Sequence, residues 1–458
     1  MKKIILLVSC FSLLYSCNSN KSKKDNNEIE RENSNQALIA EFENAADKDL
    51  LKKWYPLVID KEDGGYYSQV THDFKLGEEH NKMVVTQARH IWTNAKASKR
   101  NQEEDSSYLK NAAHGFEFLR DIMWDKENGG FHNLVNKSGE PIIKKGEAKT
   151  AYGNSFAIYA LAAYYDASGN EEALDLAKKT FRWLEEHSHD KKYKGYFQHL
   201  EMNGTPVKRT AEMASTSDIG YKDQNSSIHL MEAFTELYRV WPNDLVGERL
   251  EELLLIIRDT IVNDDDYMNL FFERDWTPVS FKEKSKEEIK KHYYLDHISP
   301  GHDVETAFLM LDASEALGLK NDSLTLQTAK RMVDHSLETG WDKKVGGFYD
   351  GGYYFEGEDE ITTVNDKKNW WAQAEGLNTL LIMAEKFPED ETNYRKYFNE
   401  LWSYTKTYMM DQEQGGWYEW GIDKTPGAKT ALKGHIWKAT YHNYRALSHV
   451  ADRLREMK

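Results

Sequence analysis

One motif recurs along this chain and constrains its fold more than any other feature. It consists of an aspartate, three residues, a glycine or lysine, a glycine and an aromatic residue. Five copies are separated by 65, 65, 152 and 69 residues and begin at Asp60, Asp125, Asp190, Asp342 and Asp411. A degenerate copy at Asp264 lies near the middle of the long interval. The chain therefore consists of six units of about 70 residues, the spacing of a repeat architecture.

The motif predicts a tight turn followed by a short strand. Paired glycines provide the backbone freedom that such a turn requires. The aromatic stretches that follow, such as Gly-Phe-His-Asn-Leu-Val at 130–135, have strand-like composition. We therefore expect short β hairpins after the Gly-Gly turns.

Two helical stretches separate successive turns. One set is amphipathic and comprises Asn35–Tyr55, Leu109–Met123, Glu171–His187, Asp244–Val262, Leu324–Glu338 and Asn393–Met409. The other set is less polar and richer in small residues, which is typical of buried helices, and comprises Met83–Ser98, Thr150–Asp166, Asp223–Trp241, His302–Leu317, Trp370–Phe387 and Ile436–Arg455.

Six buried helices alternating with six amphipathic ones favour a closed double ring. We predict an all-α fold, an (α/α)6 barrel, formed by residues 37–458 as a single domain. An open solenoid is the alternative, but it needs polar terminal units, which this sequence lacks.

The N-terminal segment has the pattern of an export signal. Lys2 and Lys3 precede an apolar run, Ile4–Tyr15, too short to span a bilayer. Ser16-Cys17 closes this run and resembles a bacterial lipoprotein cleavage box. We expect a signal peptide at 1–16, lipidation of Cys17, a flexible polar tether at 17–36 and an extracytoplasmic, membrane-anchored protein, periplasmic or at the cell surface. An ordinary secretory signal with an incidental cysteine is the alternative.

Composition excludes several classes of chemistry. The only cysteines are Cys10 and Cys17, so the folded part has no disulfide, thiol nucleophile or cysteine metal site. The net charge of −16 argues against nucleic acid as a partner. Neither a zinc motif nor a glycine-rich phosphate loop is evident, so we expect no metal and no cofactor. The 12% aromatic content suits a sugar site, because aromatic faces stack on sugar rings.

Polar and aromatic residues cluster near the starts of the predicted buried helices. Each alone has an ordinary structural explanation, such as an ion pair or a core hydrogen bond. Together they predict one pocket at the barrel mouth for proton chemistry on a neutral sugar, because buried polar groups are costly unless used or paired. They are Arg89, Trp92, Tyr152, Asn154, Asn225, His229, Glu232, His302, Glu305, Trp371, Glu375, Trp437 and His442.

Five ordered stretches resemble a known family. They are Gln87–Trp92, Asn225–Trp241, Gly301–Glu305, Trp370–Glu375 and Trp437–Asn443. They are similar to the N-acylglucosamine 2-epimerase superfamily and, within it, most similar to cellobiose (mannobiose) 2-epimerases. The resemblance extends from about Asn35 to the C-terminus and implies an (α/α)6 barrel.

The resemblance also implies a mechanism and a partner. His302 and His442 would move the C2 proton of a ring-opened reducing-end sugar through a cis-enediolate. His229 would assist ring opening, Arg89 would hold the carbonyl oxygen, and Glu305 would orient or tune His302. The implied substrate is a disaccharide such as cellobiose or mannobiose. The substrate-binding residues would be Tyr152, Asn154, Asn225, Glu232, Trp276, Trp371, Glu375 and Trp437. We expect the protein to be a monomer.

Departures from the family pattern leave the substrate open. His297–Pro300 replaces the usual small lead-in to Gly301, Lys438-Ala-Thr precedes Tyr441, and 280–294 resembles an insertion. Alternatives are an N-acylglucosamine 2-epimerase, an aldose–ketose isomerase and an inverting glycoside hydrolase, which needs two opposed carboxylates. A glycan-binding lipoprotein without chemistry is a further possibility.

Overall fold

The computed structural model describes residues 35–100, 107–209, 220–291, 293–358 and 360–457. The predicted signal peptide, Cys17 and most of the predicted tether lie outside these residues. Residues 35 and 36, which the tether prediction included, are helical. Across the described ranges, no helix combines the length and the apolar character needed to cross a membrane.

The described residues form thirteen α-helices, twelve of which make two concentric rings, and two short 3-10 helices, Tyr293–Leu295 and Pro426–Thr430. Four outer helices contain a π-helical segment, at Ala45–Leu51, Leu119–Met123, Ile257–Ile261 and Thr405–Met409. In chain order the helices are α1 (35–54), α2 (Val84–Arg100), α3 (Ser107–Phe118), α4 (Ala151–Ser168), α5 (Glu171–His187), α6 (Gln224–Val240), α7 (Asp244–Ile256), α8 (Lys286–Lys291), α9 (Pro300–Ala316), α10 (Ser323–Thr339), α11 (Trp370–Lys386), α12 (Tyr394–Tyr404) and α13 (Tyr441–Glu456).

The rings are closed. Neighbouring inner helices pack in the order α2, α4, α6, α9, α11, α13, and α13 packs back on α2. Each of the first five inner helices packs on the outer helix that follows it, and α13 packs on α1. The predicted (α/α)6 barrel is confirmed, and the open solenoid is wrong.

Burial follows the predicted division into two sets of helices. On α4 every residue from Ala151 to Tyr164 is buried, whereas α5 buries one apolar face that includes Leu174, Phe181 and Leu184. One boundary was wrong, because the last inner helix begins at Tyr441 rather than Ile436. The buried Lys438 ammonium donates hydrogen bonds to the carbonyls of Trp417 and Lys433, which holds the preceding segment in a turn.

Each of the five clear motif copies uses its aspartate in the same way. Asp125 Oδ1 accepts backbone hydrogen bonds from Glu127 and Asn128, and Oδ2 accepts one from buried Lys149 at 2.7 Å. Gly129 and Gly130 have φ of 71° and 70°, the left-handed region that favours glycine. The other lysine–aspartate pairs are Lys82–Asp60, Lys222–Asp190, Lys368–Asp342 and Lys433–Asp411.

Short strands link neighbouring units at the rim where the inner helices begin. The predicted hairpins are present as bridges such as Val135 to Pro141. The same strands also pair with the residues that precede an inner helix, which the sequence did not predict. The antiparallel pairs are β1 (Lys82–Met83) with β2 (Leu134–Val135), β3 (Lys149–Thr150) with β4 (His199–Leu200), β5 (Lys222–Asp223) with β6 (Phe271–Phe272) and β7 (Gly351–Tyr353) with β8 (Thr362–Asn365).

Candidate active site

A buried arginine on α13 gathers three glutamates from three other inner helices. Arg445 Nη2 lies 2.6 Å from Glu305 Oε1 and 2.7 Å from Glu375 Oε1. Its Nη1 contacts Glu232 Oε1. Because α6, α9 and α11 each contribute one carboxylate, the guanidinium ties four of the six inner helices together on the barrel axis.

His442 lies one turn before Arg445 and shares its carboxylates. Its Nδ1 is 2.6 Å from Glu375 Oε1 and 3.8 Å from Glu305 Oε1. Burial, followed by the charges of Arg89 and Arg445, holds the pKa of His442 well below its usual value. The neutral ring, with Nδ1–H assigned as the donor to Glu375, leaves Nε2 as the nitrogen that can accept a proton.

His302 is held in a comparable way by a different partner. Its Nδ1 is 2.8 Å from Ser299 Oγ, and its ring centroid is 4.5 Å from that of Trp371. Burial and the positive charges of His297 and His229 lower the pKa of His302 to about 3. Trp371 is also 6.1 Å from His442, so this indole lies against both histidines.

Glu305 does not have its predicted role. We expected it to orient or tune His302, but its Oε1 contacts Arg445 and approaches His442. The hydrogen-bond partner of His302 is Ser299. Glu305 points toward the barrel axis, where Arg445 neutralises it, and that is the physical reason for the correction.

His229 and Glu232 form a third pair, on α6. His229 Nδ1 is 2.7 Å from Glu232 Oε2, and its ring packs on Phe156 and Tyr152. Glu232 Oε1 accepts hydrogen bonds from Tyr441 and Arg445. Burial raises the pKa of Glu232, but Arg445 and His229 outweigh it and lower the pKa to about 2. Both carboxylate oxygens are engaged, so Glu232 orients His229 rather than binding substrate as predicted.

Arg89 reaches the same site from α2. Its Nη2 donates to Tyr152 Oη at 3.0 Å and its Nη1 to the carbonyl of Trp437 at 2.8 Å. The guanidinium lies over the Phe156 ring, 4.6 Å from the centroid. Arg89 and Tyr152 therefore lie together as the sequence predicted.

The remaining two glutamates titrate near neutrality. Burial, followed by the charge of Glu375, raises the pKa of Glu305 to about 7. Burial likewise raises the pKa of Glu375 to about 7, against the opposing charge of Arg445. Two carboxylates near one guanidinium therefore hold a proton that they can exchange at neutral pH.

The same carboxylates raise the question of a metal. Ligand atoms of Glu305, Glu375 and His442 lie within 4.8 Å of one another, a spacing that could hold an ion. Arg445 Nη2 already lies 2.6 and 2.7 Å from the two carboxylates. A metal cation there would be repelled by the guanidinium, so this donor set does not fit one.

Two predicted substrate-binding residues belong to the turns. Asn154 is fully buried, accepts a hydrogen bond from the Phe131 backbone and donates one to the Thr150 carbonyl. Trp276 donates to the Tyr193 carbonyl at 2.9 Å and lies over Lys222, the lysine of the third turn. Position near a helix start did not reveal that these side chains bind the backbone of the turns. Their roles toward substrate stay predictions.

Two other predicted contacts lie at the rim, and three participants were missed. Asn225 is half-buried in the first turn of α6, and Trp437 is 50% exposed just before α13. Their roles toward substrate stay predictions. The residues that sequence reasoning missed are Arg445, Tyr441 and Ser299. The sequence did contain a clue to Arg445, because it lies three residues after His442, on the same face of a helix that is mostly buried.

Known proteins share this sequence and fold. The N-acylglucosamine 2-epimerase family matches residues 65–446. A protein of Dictyoglomus turgidum named cellobiose 2-epimerase is 27% identical to this chain over 404 residues. The aligned part covers 86% of this chain and 93% of the relative. The one from Ruminococcus albus is 29% identical over 426 residues, covering 91% and 99%. The solved cellobiose 2-epimerase of Spirochaeta thermophila superposes with a TM-score of 0.79 at 28% identity, covering 93% and 98%. The chain therefore belongs to the N-acylglucosamine 2-epimerase family and is an isomerase of the carbohydrate-epimerase type.

Proposed function

We propose that this enzyme interconverts glucose and mannose at the reducing end of a β-linked disaccharide such as cellobiose or mannobiose. The observation that carries the proposal is the pair His302 and His442, on separate inner helices beside Trp371. Inversion at C2 without a redox step needs one base on each face of the sugar. The names of the relatives favour a disaccharide substrate.

The surrounding groups suit the other steps. His229, oriented by Glu232, would assist ring opening. Arg89 would hold the carbonyl oxygen and stabilise the negative charge that develops on it. One histidine Nε2 takes the C2 proton, and the C–H electron pair forms the C1–C2 double bond of the enediolate.

The second half of the reaction returns a proton to C2. After rotation about the C2–C3 bond, the other histidine donates a proton to the opposite face of C2. Because the pKa of both rings is lowered, this histidine is neutral in the free enzyme and must first take up that proton, which the carboxyl pair can supply to His442. The enediolate electrons then reform the C1 carbonyl, so no oxidant or reductant is consumed. Glu375 stabilises the imidazolium form of His442, and the carboxyl pair with pKa near 7 can relay the proton that resets the histidines.

Incubation with cellobiose in D2O tests the reaction. We expect the epimer to carry deuterium at C2 of its reducing-end mannose unit, observed by NMR. An epimer without deuterium would contradict the proton-transfer mechanism. A ketose product would instead identify an aldose–ketose isomerase, and released glucose would identify a hydrolase.

We also propose that the enzyme works outside the cytoplasm, attached to a membrane through a lipid on Cys17. The support is the sequence pattern at residues 2–17. Expression in a bacterial host with a labelled fatty acid should place label on the wild-type protein and none on Cys17→Ala. The wild-type protein should sediment with membranes. Recovery of unlabelled wild-type protein in the soluble fraction would refute the anchor.

A further inference from the structure

A cavity of about 240 Å³ lies at the rim beside the catalytic pocket. It is formed where the insertion at 280–294 folds over β7. The insertion is anchored there because Ile289 of α8 packs with Tyr353 and Phe355. The residues that matter for its chemistry are Tyr267, Lys282, Asp296, His297, Tyr353 and Tyr354.

The cavity faces the outer ring rather than the barrel axis. Tyr354 Oη is 3.1 Å from His335 Nε2 on outer helix α10, and the Tyr267 ring stacks on His335. None of Arg89, His229, His302, His442 or Arg445 lines it. Its wall nevertheless continues into the catalytic site, because Ile298 is followed by Ser299, which holds His302.

Several polar groups of the cavity have hydrogen-bond donors or acceptors that no other residue of the described part uses. Asp296 Oδ2 accepts hydrogen bonds from Tyr353 Oη, Ser280 Oγ and the Phe281 backbone. Within the described part of the chain, Oδ1 receives none. Lys282 Nζ makes one bond, to Tyr267 Oη at 3.3 Å, which leaves further N–H donors. His297 Nδ1 is buried without a partner among the described residues.

This chemistry selects a neutral polyhydroxylated ligand. One lysine and one aspartate cancel in charge, so neither an anion nor a cation is favoured. Tyr354, which is only partly buried, offers a ring face for C–H groups, while the Lys282 ammonium and the Asp296 carboxylate offer a donor and an acceptor for hydroxyls. The volume lies below the range of drug-sized ligand pockets and suits a single ring.

We propose that this cavity binds one pyranose ring of a neutral sugar, as a second site outside the catalytic pocket. The ring could be a free monosaccharide or the distal unit of an oligosaccharide whose reducing end occupies the catalytic pocket. Binding of the distal unit of an oligosaccharide rests on the proposed function, whereas binding of a free monosaccharide does not.

Two variants alter the cavity without touching the catalytic residues. Ser280→Trp places an indole at its exposed edge, and Lys282→Ala removes its cationic donor. Lys284→Ala is the matched control, because Lys284 is an exposed lysine of the same segment that does not line the cavity. All three positions are exposed, so all three variants should fold. Ser280→Trp and Lys282→Ala each remove side-chain hydrogen bonding, so their unfolding midpoints should lie slightly below those of the wild type and Lys284→Ala.

The first measurement is binding of methyl β-glucopyranoside, which cannot open its ring. Saturation-transfer NMR should show a saturable component in the wild type and Lys284→Ala that is lost in Ser280→Trp and weakened in Lys282→Ala. This outcome supports the cavity as a site for a free sugar. It does not depend on turnover, so it stands even if the enzyme fails to epimerise cellobiose.

The second measurement compares KM for cellobiose and cellotetraose. If the cavity holds a distal unit, KM for cellotetraose should be about tenfold lower in the wild type, and Ser280→Trp should lose that advantage with kcat unchanged. If the wild-type enzyme did not turn over cellobiose at all, the proposed function would be wrong, but the proposal of a sugar site in the cavity would still stand on the first measurement. If the two cavity variants behave like Lys284→Ala in both measurements, the proposed sugar site is wrong.

Discussion

Two regions of this barrel bury charge beside charge, and they do so differently. In the turns each aspartate pairs with a buried lysine, and at the first turn the lysine completes its hydrogen bonds with carbonyls. Lys82 Nζ donates to Asp60 Oδ2, the Gly64 carbonyl and the Lys137 carbonyl at 2.7, 2.7 and 2.9 Å. The lysine–aspartate pair recurs in five units, as expected for ion pairs that hold the fold, although Lys368 also meets a second carboxylate, Asp423.

The axial cluster contains more carboxylates than its arginine can satisfy. Glu375 Oε2, Arg445 Nε and Arg89 Nε are buried without hydrogen-bond partners among the described residues. The cost of burying the surplus charge appears in the raised pKa of Glu305 and Glu375. The lysine–aspartate pairs therefore belong to the repeated framework, and the cluster of three carboxylates around one arginine belongs to the candidate site.

The largest expected effect on activity comes from replacing His442 in the axial cluster. His442→Ala removes one proposed base and leaves Glu375 without its imidazole partner. We expect kcat to fall by about 10⁴-fold, the upper range for a general acid–base group. Initial rates of cellobiose epimerisation measure it, and the unfolding midpoint should remain close to that of the wild type. Unchanged turnover would remove His442 from the mechanism.

Replacing a turn lysine should have the opposite signature. Lys149→Ala leaves Asp125 buried without its cation, so we expect a loss of about 3–5 kcal/mol in the free energy of unfolding. Denaturant unfolding measures it, and kcat of the folded fraction should be unchanged.

The double variant Lys149→Met with Asp125→Asn serves as the control for the turn. It should lose less than the single variant, because no uncompensated charge remains. If kcat of the folded protein fell in these variants together with the free energy of unfolding, the turn would also contribute to catalysis, and framework and site would not be separate.

The sequence predicted the framework better than the site, for a physical reason. Backbone geometry and burial repeat in every unit. For that reason the sequence predicted the recurring Asp and Gly-Gly positions and the two sets of helices. The lysine that precedes five of the six inner helices was overlooked because its aspartate partner lies about 22 to 32 residues away in sequence. Pairing across the fold leaves no local pattern.

The site was predicted in its members but not in its contacts. Arg89, His229, His302, Glu375 and His442 converge as expected, because all begin inner helices at one rim. Which oxygen meets which nitrogen depends on the rotation of each helix and on the rotamer of each side chain. That is why Glu305 was assigned to the wrong histidine, and why Arg445 and Ser299 were missed.

The carboxyl pair gives a pH-dependent test. The pKa of Glu305 is raised to about 7 from 4.5, partly by the charge of Glu375. Its protonated form is favoured by folding, so its contribution to stability falls as pH rises from about 4.5 to 7 and is constant above.

Glu375→Gln should narrow this pH window from its upper end. Without the neighbouring charge, the pKa of Glu305 falls, and the acid limb of kcat/KM should move down by about one pH unit. The maximum of kcat/KM should also fall, because the neutral amide no longer stabilises the imidazolium form of His442. Rates between pH 5 and 9 measure the limb, with the unfolding midpoint recorded over the same range. A limb that stays in place would show that Glu305 and Glu375 do not titrate as a pair.

The smallest expected effect distinguishes framework from site at Trp276. Its indole donates to the Tyr193 carbonyl within the third turn, so Trp276→Phe should lose about 1 kcal/mol of unfolding free energy. Since Trp276 lies in the framework, KM for cellobiose should not change. Trp371→Phe is the matched control, because that indole lies against both catalytic histidines and its replacement should raise KM. If Trp276→Phe raised KM as well, the third turn would extend into the substrate pocket, and framework and site would no longer be separate regions.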